Sequence, residues 1–196
     1  MPHTDAARWD ARYALEREFW LGREPKQLLR SYNRLLPETG LALDAASGVA
    51  VNGLYLAEKG LRVVALDISE YALHLAKASA RAEDLPLDAA VYDLSGYPWL
   101  PPQTFDVILN FHFLERATLP VYDSALKPGG LLFFESFVKI ENLPDNPIYY
   151  LEPGELLNFY RHYETIYYEE IQKPPSSHHP ERGLAQLVAR KPEAIN

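Results

Sequence analysis

The fold is decided by the segment Leu43-Asp44-Ala45-Ala46-Ser47-Gly48-Val49-Ala50. It closes a short apolar run at residues 41–45 and leads through small residues into a helical pattern at residues 50–59, which Gly60 ends. A strand that turns directly into a helix through small residues lets a ligand approach the backbone, and the positive end of the helix points at that turn. The alternative is a tight connection in which Asp44 only caps the helix.

The same strand-then-helix pattern extends outward from this segment. Apolar runs typical of buried strands occupy residues 41–45, 61–66, 87–92, 105–110 and 131–137, and helical patterns occupy residues 50–59, 69–81 and 119–126. Ser69 is placed to cap the second of these helices. Strands that alternate with helices predict right-handed β-α-β units and a parallel sheet covered on both faces.

The carboxyl-terminal part breaks the alternation. A helical pattern at residues 153–160 is followed by strand patterns at residues 163–170 and 185–190, and the Pro-, Ser- and His-rich stretch between these strands leaves no room for a helix. Two strands joined by such a loop are expected to be antiparallel neighbours. The predicted fold is therefore a Rossmann-like, doubly wound α/β domain. Its seven-stranded sheet is mostly parallel with an antiparallel C-terminal strand, and helices cover both faces.

We expect one domain over residues 1–196, formed by an N-terminal helical cap (residues 1–38) and a Rossmann-like core (residues 39–196). The cap reads as helical from residue 4 to residue 36. Gly22 and Pro25 divide it, and a second, more regular helix at residues 26–36 is closed by Pro37.

Composition limits the possible partners. The 196 residues include 19 Lys and Arg against 27 Asp and Glu, a net charge of -8, which argues against a nucleic acid partner because phosphate contacts need a basic surface. The chain has no Cys, so thiolate metal sites and disulfides are excluded, and His178-His179 lack further ligands at metal-binding spacing. The start lacks the pattern of a signal peptide, and no apolar run approaches the roughly 18 residues of a membrane span. We therefore expect a cytoplasmic protein with no bound metal and no membrane partner.

Acidic residues follow the next two strands. Asp67 ends the second strand, 23 positions beyond Asp44, where a carboxylate can accept hydrogen bonds from the ribose hydroxyls of an adenosine cofactor. The alternative role for Asp67 is to help Ser69 cap the following helix. Asp93-Leu94 ends the third strand, where a carboxylate beside an apolar side chain suits an adenine ring; the alternative is a solvated loop.

Taken in order, these segments resemble the class I S-adenosylmethionine-dependent methyltransferases of the small tellurite-resistance-like kind. The resemblance runs from about Trp9 to Glu170. It rests on Trp9-Asp-Ala-Arg-Tyr13 with Gly22 and Pro25, on Leu43-Asp44 to Gly60, on residues 64–77, on Phe105-Asp106, on Leu126-Lys-Pro-Gly-Gly130, on Leu151-Glu-Pro-Gly-Glu-Leu156, and on Tyr168-Glu-Glu170.

The resemblance implies S-adenosylmethionine as the cofactor and gives each candidate site residue a role. Asp44, Ala46 and Gly48 would line the methionine part, Asp67 and Ile68 would hold the ribose, Asp93 and Leu94 would bind adenine, Asn110 would lie near the sulfonium, and Tyr13 and Trp20 would close the site.

The chain departs from the family pattern at Ala50, which stands where the last Gly of the first cofactor motif is common. We expect its methyl group to crowd the cofactor or to shift the backbone, and an alanine with positive φ would be strained. This departure keeps open a second hypothesis, a cofactor-binding protein of the same fold that has lost catalysis. A nicotinamide-dependent oxidoreductase is less compatible, because the chain has no G-x-G-x-x-G turn.

The predicted activity is methyl transfer to a small-molecule acceptor by in-line displacement. Proximity and orientation supply most of the acceleration in such a reaction, so no protein nucleophile is needed. His112 is the central candidate for a catalytic base, since an unperturbed histidine pKa of about 6.5 suits that role. The alternative is a histidine that only packs between Phe111 and Phe113.

Overall fold

The computed structural model describes residues 4–96, 98–141, 149–174 and 181–193. His178 and His179, for which the sequence predicts no metal role, lie outside the described residues. The helices are α1 (Thr4–Leu15), α2 (Arg17–Leu21), α3 (Gln27–Ser31), α4 (Val51–Glu58), α5 (Glu70–Ala82), α6 (Thr118–Ala125) and α7 (Glu155–Phe159), with a 3-10 turn at Asn33–Leu35. The strands are β1 (Leu41–Ala45), β2 (Arg62–Asp67), β3 (Leu87–Val91), β4 (Phe105–Phe111), β5 (Leu126–Val138), β6 (Glu164–Lys173) and β7 (Arg182–Arg190).

The seven strands form one sheet in the order β3-β2-β1-β4-β5-β7-β6. Strands β1 to β5 pair in parallel, and β7 runs antiparallel to both β5 and β6. The predicted fold class is confirmed, including the antiparallel carboxyl-terminal strand. The strand order reverses between β1 and β4, which is the place where open α/β sheets bind ligands.

The two faces of the sheet carry separate apolar cores, as the pattern of the strands requires. Successive side chains of a strand point to opposite faces, so each central strand feeds both cores. One core contains Leu43, Ile108, Leu132 and Phe134, and the other contains Ala42, Val107, Leu109 and Phe133. Burial of each large apolar side chain contributes on the order of 1.5–3 kcal/mol, which explains why the near-continuous apolar runs form the sheet's centre.

Two predicted elements differ from the structure. The regular helix expected at residues 26–36 is broken into α3 and the 3-10 turn, which leaves Tyr32 between them. Strand β5 begins at Leu126 rather than at Leu131, because Pro128-Gly129-Gly130 continues the strand, with an irregularity in its pairing with β4. Reciprocal backbone hydrogen bonds between this segment and Lys191, at 2.9 and 3.0 Å, hold it in the sheet.

The N-terminal helix α1 docks on the amino end of α5 through one carboxylate. Asp10 Oδ1 accepts a hydrogen bond from Ser69 Oγ at 2.6 Å and another from the Tyr71 backbone N–H at 3.0 Å. Ser69 in turn accepts from the Ala72 N–H at 3.1 Å, which confirms it as the cap of α5. This contact places α1 over the carboxyl ends of β1 and β2. No helix in the described ranges is long and apolar enough to cross a membrane.

Candidate functional site

A cavity of about 560 Å³ opens at the carboxyl ends of the parallel strands, within the size range of small-molecule sites. Ten of the eleven candidate site residues line it: Tyr13, Trp20, Asp44, Ala46, Gly48, Asp67, Ile68, Asp93, Leu94 and His112. The structure therefore brings together side chains from the cap and from the ends of β1, β2, β3 and β4. The eleventh, Asn110, is absent from the lining.

Asn110 is fully buried and serves the loop that follows β4. Its Nδ2 donates to the Phe113 carbonyl at 2.8 Å, and its Oδ1 accepts from the Tyr122 hydroxyl at 3.1 Å. These two bonds turn the amide inward, and Asn110 does not line the cavity.

Asp44 is a buried carboxylate at the end of β1. Its Oδ2 accepts a hydrogen bond from the Gly53 N–H, in the first turn of α4, at 2.8 Å. Burial raises the pKa of Asp44 to about 7; the Gly53 bond opposes this shift, and the nearby negative charge of Asp67 adds to it. Within the described part of the chain no cationic side chain pairs with Asp44, so this carboxylate would gain from a positively charged ligand group.

Asp67 braces the turn between β1 and α4. Its Oδ2 accepts from the Gly48 N–H at 2.7 Å, and its Oδ1 accepts from the Ser69 N–H at 2.8 Å. Burial raises the pKa of Asp67, and these backbone hydrogen bonds oppose the rise. Each carboxylate oxygen keeps a further lone pair. The bond to Ser69 shows the capping alternative, and the same carboxylate still lines the cavity as the ribose role requires.

Three residues of the first turn have left-handed backbone conformations: Ala46 (φ 51°), Gly48 (φ 55°) and Ala50 (φ 56°). Ala50 thus has the positive φ that strains an alanine, at a cost of about 1–2 kcal/mol. The expectation that its methyl group crowds the cofactor is wrong. That methyl is fully buried with Ala65, Leu73 and Ala76 between α4, α5 and β2, and Ala50 does not line the cavity.

Gly48 is the position in this turn where a side chain would not fit. A Cβ atom there would touch the Tyr13 hydroxyl oxygen and lie 3.0 Å from Tyr13 Cζ. Tyr13 is itself buried against Trp9 and Trp20, with ring centroids 5.7 and 5.0 Å away. The glycine therefore lets the cap close directly on the turn.

The cap side of the cavity alternates aromatic rings with guanidinium groups. Arg12 lies 5.2 Å from the centroid of Trp9 and 5.4 Å from that of Trp20, and Arg23 lies 5.3 Å from the centroid of Trp20. Such cation–π contacts are worth about 0.5–1 kcal/mol each at exposed sites. They link α1 to the segment after α2 as one wall.

Asp93 and Leu94 follow β3 and line the cavity. Leu94 is buried, whereas Asp93 is exposed and accepts from the Ser95 N–H at 2.8 Å. An apolar surface beside an acceptor is the arrangement expected there from the sequence.

The residues that surround His112 were not predicted from the sequence. Lys26 from the cap segment, Glu135 from β5 and Gln186 from β7 all line the cavity. Glu135 is buried and accepts from Lys26 Nζ at 3.0 Å and from Gln186 Nε2; its Oε1 also lies 3.0 Å from His112 Nε2. A glutamate inside the apolar run Leu131-Leu-Phe-Phe-Glu-Ser-Phe137 was the signal available, since carboxylates are rarely buried without partners.

The charges in this group follow from burial and contact. Burial alone would raise the pKa of Glu135, but the His112 hydrogen bond and the Lys26 charge outweigh it and hold the pKa well below its usual range. Burial lowers the pKa of Lys26 and of His112, and the Glu135 carboxylate opposes both shifts. Glu135 is therefore ionised and His112 is a neutral imidazole at neutral pH.

His112 lines the cavity in a strained pose. Its φ is 62°, and its ring stacks on Phe137 with centroids 5.1 Å apart. Its Nε2 contacts both Glu135 and Lys26 Nζ, and its buried Nδ1 has no hydrogen-bond partner in the described structure. Left-handed non-glycine residues concentrate at functional sites, so this pose is a pointer to function. The described ranges hold no group of three or more His, Cys, Asp or Glu side chains suited to a metal ion.

Comparison with known proteins shows similarity to a methyltransferase domain. A family described as a methyltransferase domain matches residues 42–130, which contain the first turn and strands β1 to β4. The putative methyltransferase YqeM of Bacillus subtilis (strain 168) is 32% identical over 125 residues, covering 57% of this chain and 49% of that protein. The S-adenosyl-L-methionine-dependent Diels-Alderase iccD of Talaromyces variabilis is 30% identical over 118 residues, covering 56% of this chain and 39% of that protein. The chain thus spans less than half the length of these curated relatives.

Solved structures extend the similarity over most of the chain. TehB from Haemophilus influenzae superposes with a TM-score of 0.75 at 18% identity, covering 93% of this chain and 67% of that chain. The [4+2]-cyclase SpnF superposes with a TM-score of 0.67 at 20% identity, covering 88% of this chain and 84% of that chain. The chain thus contains a segment similar to a methyltransferase domain. Its fold is TehB-like, as the sequence resemblance implies.

Proposed function

We propose that this protein transfers a methyl group from S-adenosylmethionine to a small-molecule acceptor by in-line displacement. The observation that supports this most directly is the single cavity with two unlike ends. One end is formed by the ends of β1, β2 and β3, where Asp44, Asp67 and Asp93 gather. The other is formed by the loop after β4 and by β5 and β7, where His112, Glu135 and Phe137 lie. Two reactants can therefore meet in one cavity.

The residues at the first end fit the cofactor. Glycine at position 48 lets Tyr13 of the cap close on the first turn, and two buried carboxylates without cationic partners in the described chain favour a ligand that carries positive charge. We assign Asp67 and Ile68 to the ribose, Asp93 and Leu94 to adenine, and Asp44, Ala46 and Gly48 to the methionine part. Arg23, on the cap side, supplies a positive charge for the methionine carboxylate. When bound, S-adenosylmethionine supplies a methyl group on a positively charged sulfur, which makes that methyl electrophilic.

The chain's own contribution is to position the reactants and exclude water. The Tyr13 and Trp20 rings close the cap over the first turn, and Phe111, Phe113 and Phe137 provide apolar walls at the acceptor end. Proximity and orientation of this kind supply much of the barrier reduction in a displacement reaction. The closed cap also protects an electrophile from hydrolysis.

His112 remains our candidate for the group that takes a proton from the acceptor. It is neutral at neutral pH, which a proton acceptor must be. A neutral ring that donates Nε2–H to the ionised Glu135 has its free lone pair on Nδ1, so the acceptor would deliver its proton to Nδ1, which has no hydrogen-bond partner in the described structure. Glu135 would then stabilise the imidazolium that forms.

The acceptor is proposed to be small and not a nucleic acid. The net charge of -8 disfavours a phosphate backbone, and a cavity of about 560 Å³ suits a compact ligand. Cytoplasmic location stays a prediction.

A second candidate is a protein that binds the cofactor without methyl transfer. It is favoured by the similarity to iccD, named a Diels-Alderase, and to SpnF, named a cyclase. The sequence argument for it weakens, because the Ala50 methyl points away from the cavity. The two candidates differ in one product: only a methyltransferase converts S-adenosylmethionine to S-adenosylhomocysteine in step with acceptor consumption.

The first test is a calorimetric titration of S-adenosylhomocysteine into wild-type protein, Asp67→Asn and Asp88→Asn, with NAD as a comparison ligand. Asp67→Asn should weaken binding about tenfold or more, because an amide cannot accept at both positions that the carboxylate now serves. Asp88 is an exposed β3 residue paired with Arg62, and its substitution should leave binding unchanged. Tighter binding of NAD than of S-adenosylhomocysteine, or equal affinity for S-adenosylhomocysteine in all three proteins, would refute the proposed site.

A further inference from the structure

The acceptor end of the cavity is lined by one face of β5 and β7. Glu135 pairs with Gln186 and Phe137 with Leu184 across these antiparallel strands, and all four residues line the cavity. Because side chains alternate along a strand, the next residue of β7 on this face is Arg182, which also lines the cavity. The floor of the acceptor end therefore runs from a buried carboxylate, over apolar side chains, to a guanidinium.

The charges on this floor do not cancel. Lys26 and Glu135 form a buried ion pair 3.0 Å apart, so together they contribute no net charge. Arg182 is half-buried, and no carboxylate of the described residues pairs with it. Lys173, its partner in the β6–β7 register, also lines the cavity. Glu24 of the cap segment also lines the cavity, and it pairs with Arg30.

Arg182 and Lys26 line the same cavity and interact electrostatically. The positive charges of Arg23 and Arg182 both lower the pKa of Lys26, although burial is the larger cause. Arg182 therefore lies close enough to Lys26 for their charges to interact across the acceptor end. Positive charge left over at this end contrasts with the three carboxylates at the cofactor end and with the acidity of the whole chain.

We propose that the acceptor is an amphipathic organic anion, whose carboxylate or phosphate group binds Arg182 while its apolar body lies against Phe113, Phe137 and Leu184. The inference rests on the proposed function, since it identifies the substrate class of the same cavity. A guanidinium presents a planar fork of donors that matches either oxyanion, and a charge-assisted bond of this kind is stronger than a neutral one. A neutral analogue of the same shape leaves the Arg182 charge desolvated and unpaired.

The test uses benzoate, phenyl phosphate and the neutral isostere benzamide, titrated calorimetrically into the protein with and without saturating S-adenosylhomocysteine. At least one of the two anions should bind about tenfold or more tightly than benzamide, and their ratio distinguishes carboxylate from phosphate recognition. Arg182→Gln should lose that discrimination and Arg182→Lys should keep part of it. Arg62→Gln, at an exposed strand arginine paired with Asp88, is the matched control and should behave as wild type.

The outcomes separate this inference from the proposed function. Affinity for S-adenosylhomocysteine should be the same in wild type and both Arg182 variants, since Arg182 lies at the other end. If the wild-type protein does not bind S-adenosylhomocysteine, the proposed function is refuted. The titrations performed without S-adenosylhomocysteine still measure anion binding in that case. Benzamide binding as tightly as the anions, no binding of either anion, or unchanged discrimination in Arg182→Gln would each overturn the anionic acceptor.

Discussion

Replacement of Gly48 by alanine should separate backbone strain from the closing of the cap. Gly48 has φ 55°, and a Cβ there would touch the Tyr13 hydroxyl and lie 3.0 Å from Cζ. Gly154 has φ 76° with nothing within 4 Å of its Cβ position. Gly154→Ala therefore reports the cost of left-handed backbone alone, and Gly48→Ala adds the collision with a buried ring.

The magnitudes follow from these two terms. Left-handed backbone costs an alanine about 1–2 kcal/mol, and this is the whole expected effect of Gly154→Ala. Displacement of the Tyr13 ring from its contacts with Trp9 and Trp20 forfeits about 1.5–3 kcal/mol of burial. The expected destabilisation for Gly48→Ala is thus about 2.5–5 kcal/mol. Tyr13→Phe removes the hydroxyl but leaves Cζ close, so it should rescue part of the second term.

The assay is urea unfolding followed by tryptophan fluorescence, because Trp9 and Trp20 lie in the cap and report its packing directly. Four proteins are needed besides wild type: Gly48→Ala, Gly154→Ala, Tyr13→Phe and the Gly48→Ala/Tyr13→Phe double variant. A favourable coupling of about 1 kcal/mol or more in the double variant is expected. Equal losses in Gly48→Ala and Gly154→Ala, or additive effects in the double variant, would show that the cap does not rest on Gly48.

Three further predictions concern the same cavity. Asp44 has a folded-state pKa raised to about 7 from 3.8, so the folded protein holds a proton there that the unfolded chain releases. The protonated Asp44 contributes up to about 4 kcal/mol to stability, fully below about pH 4, and this contribution is lost as the pH rises to about 7. The unfolding free energy of wild type minus that of Asp44→Asn should therefore fall as the pH rises across this range. A difference that does not change with pH would contradict the raised pKa. The free energy of unfolding should be roughly 1 kcal/mol higher for Ala46→Gly than for Ala50→Gly, because both substitutions relieve left-handed strain but only the Ala50 methyl is fully buried. The reverse order in chemical unfolding would contradict the placement of these methyl groups. His112→Asn, which tolerates positive φ and keeps a donor for Glu135, should lower methyl transfer about 100-fold with unchanged affinity for S-adenosylhomocysteine, and full activity would exclude His112 as the proton acceptor.

The local pattern of the chain determined the elements and the general place of the site. Apolar runs of strand length and helical spacing follow from side-chain periodicity, which is a property of neighbouring residues, so β1, β2 and α5 match their predicted positions within a residue or two. The carboxylates that end β1, β2 and β3 meet in one cavity because parallel strands present their carboxyl ends at the same edge. Those side chains were therefore identifiable from sequence alone.

Only the tertiary structure decided which side chains contact one another. Lys26, His112, Glu135 and Gln186 are far apart in sequence and meet through the pairing of β4, β5 and β7, which no local pattern specifies. The orientation of an individual side chain also depends on residues distant in sequence. Asn110 turns inward to Tyr122, and the Ala50 methyl packs on α5 rather than in the cavity. Sequence sets the period of burial because that depends on adjacent residues, whereas charge pairing, strain and the shape of the acceptor end depend on packing between distant strands.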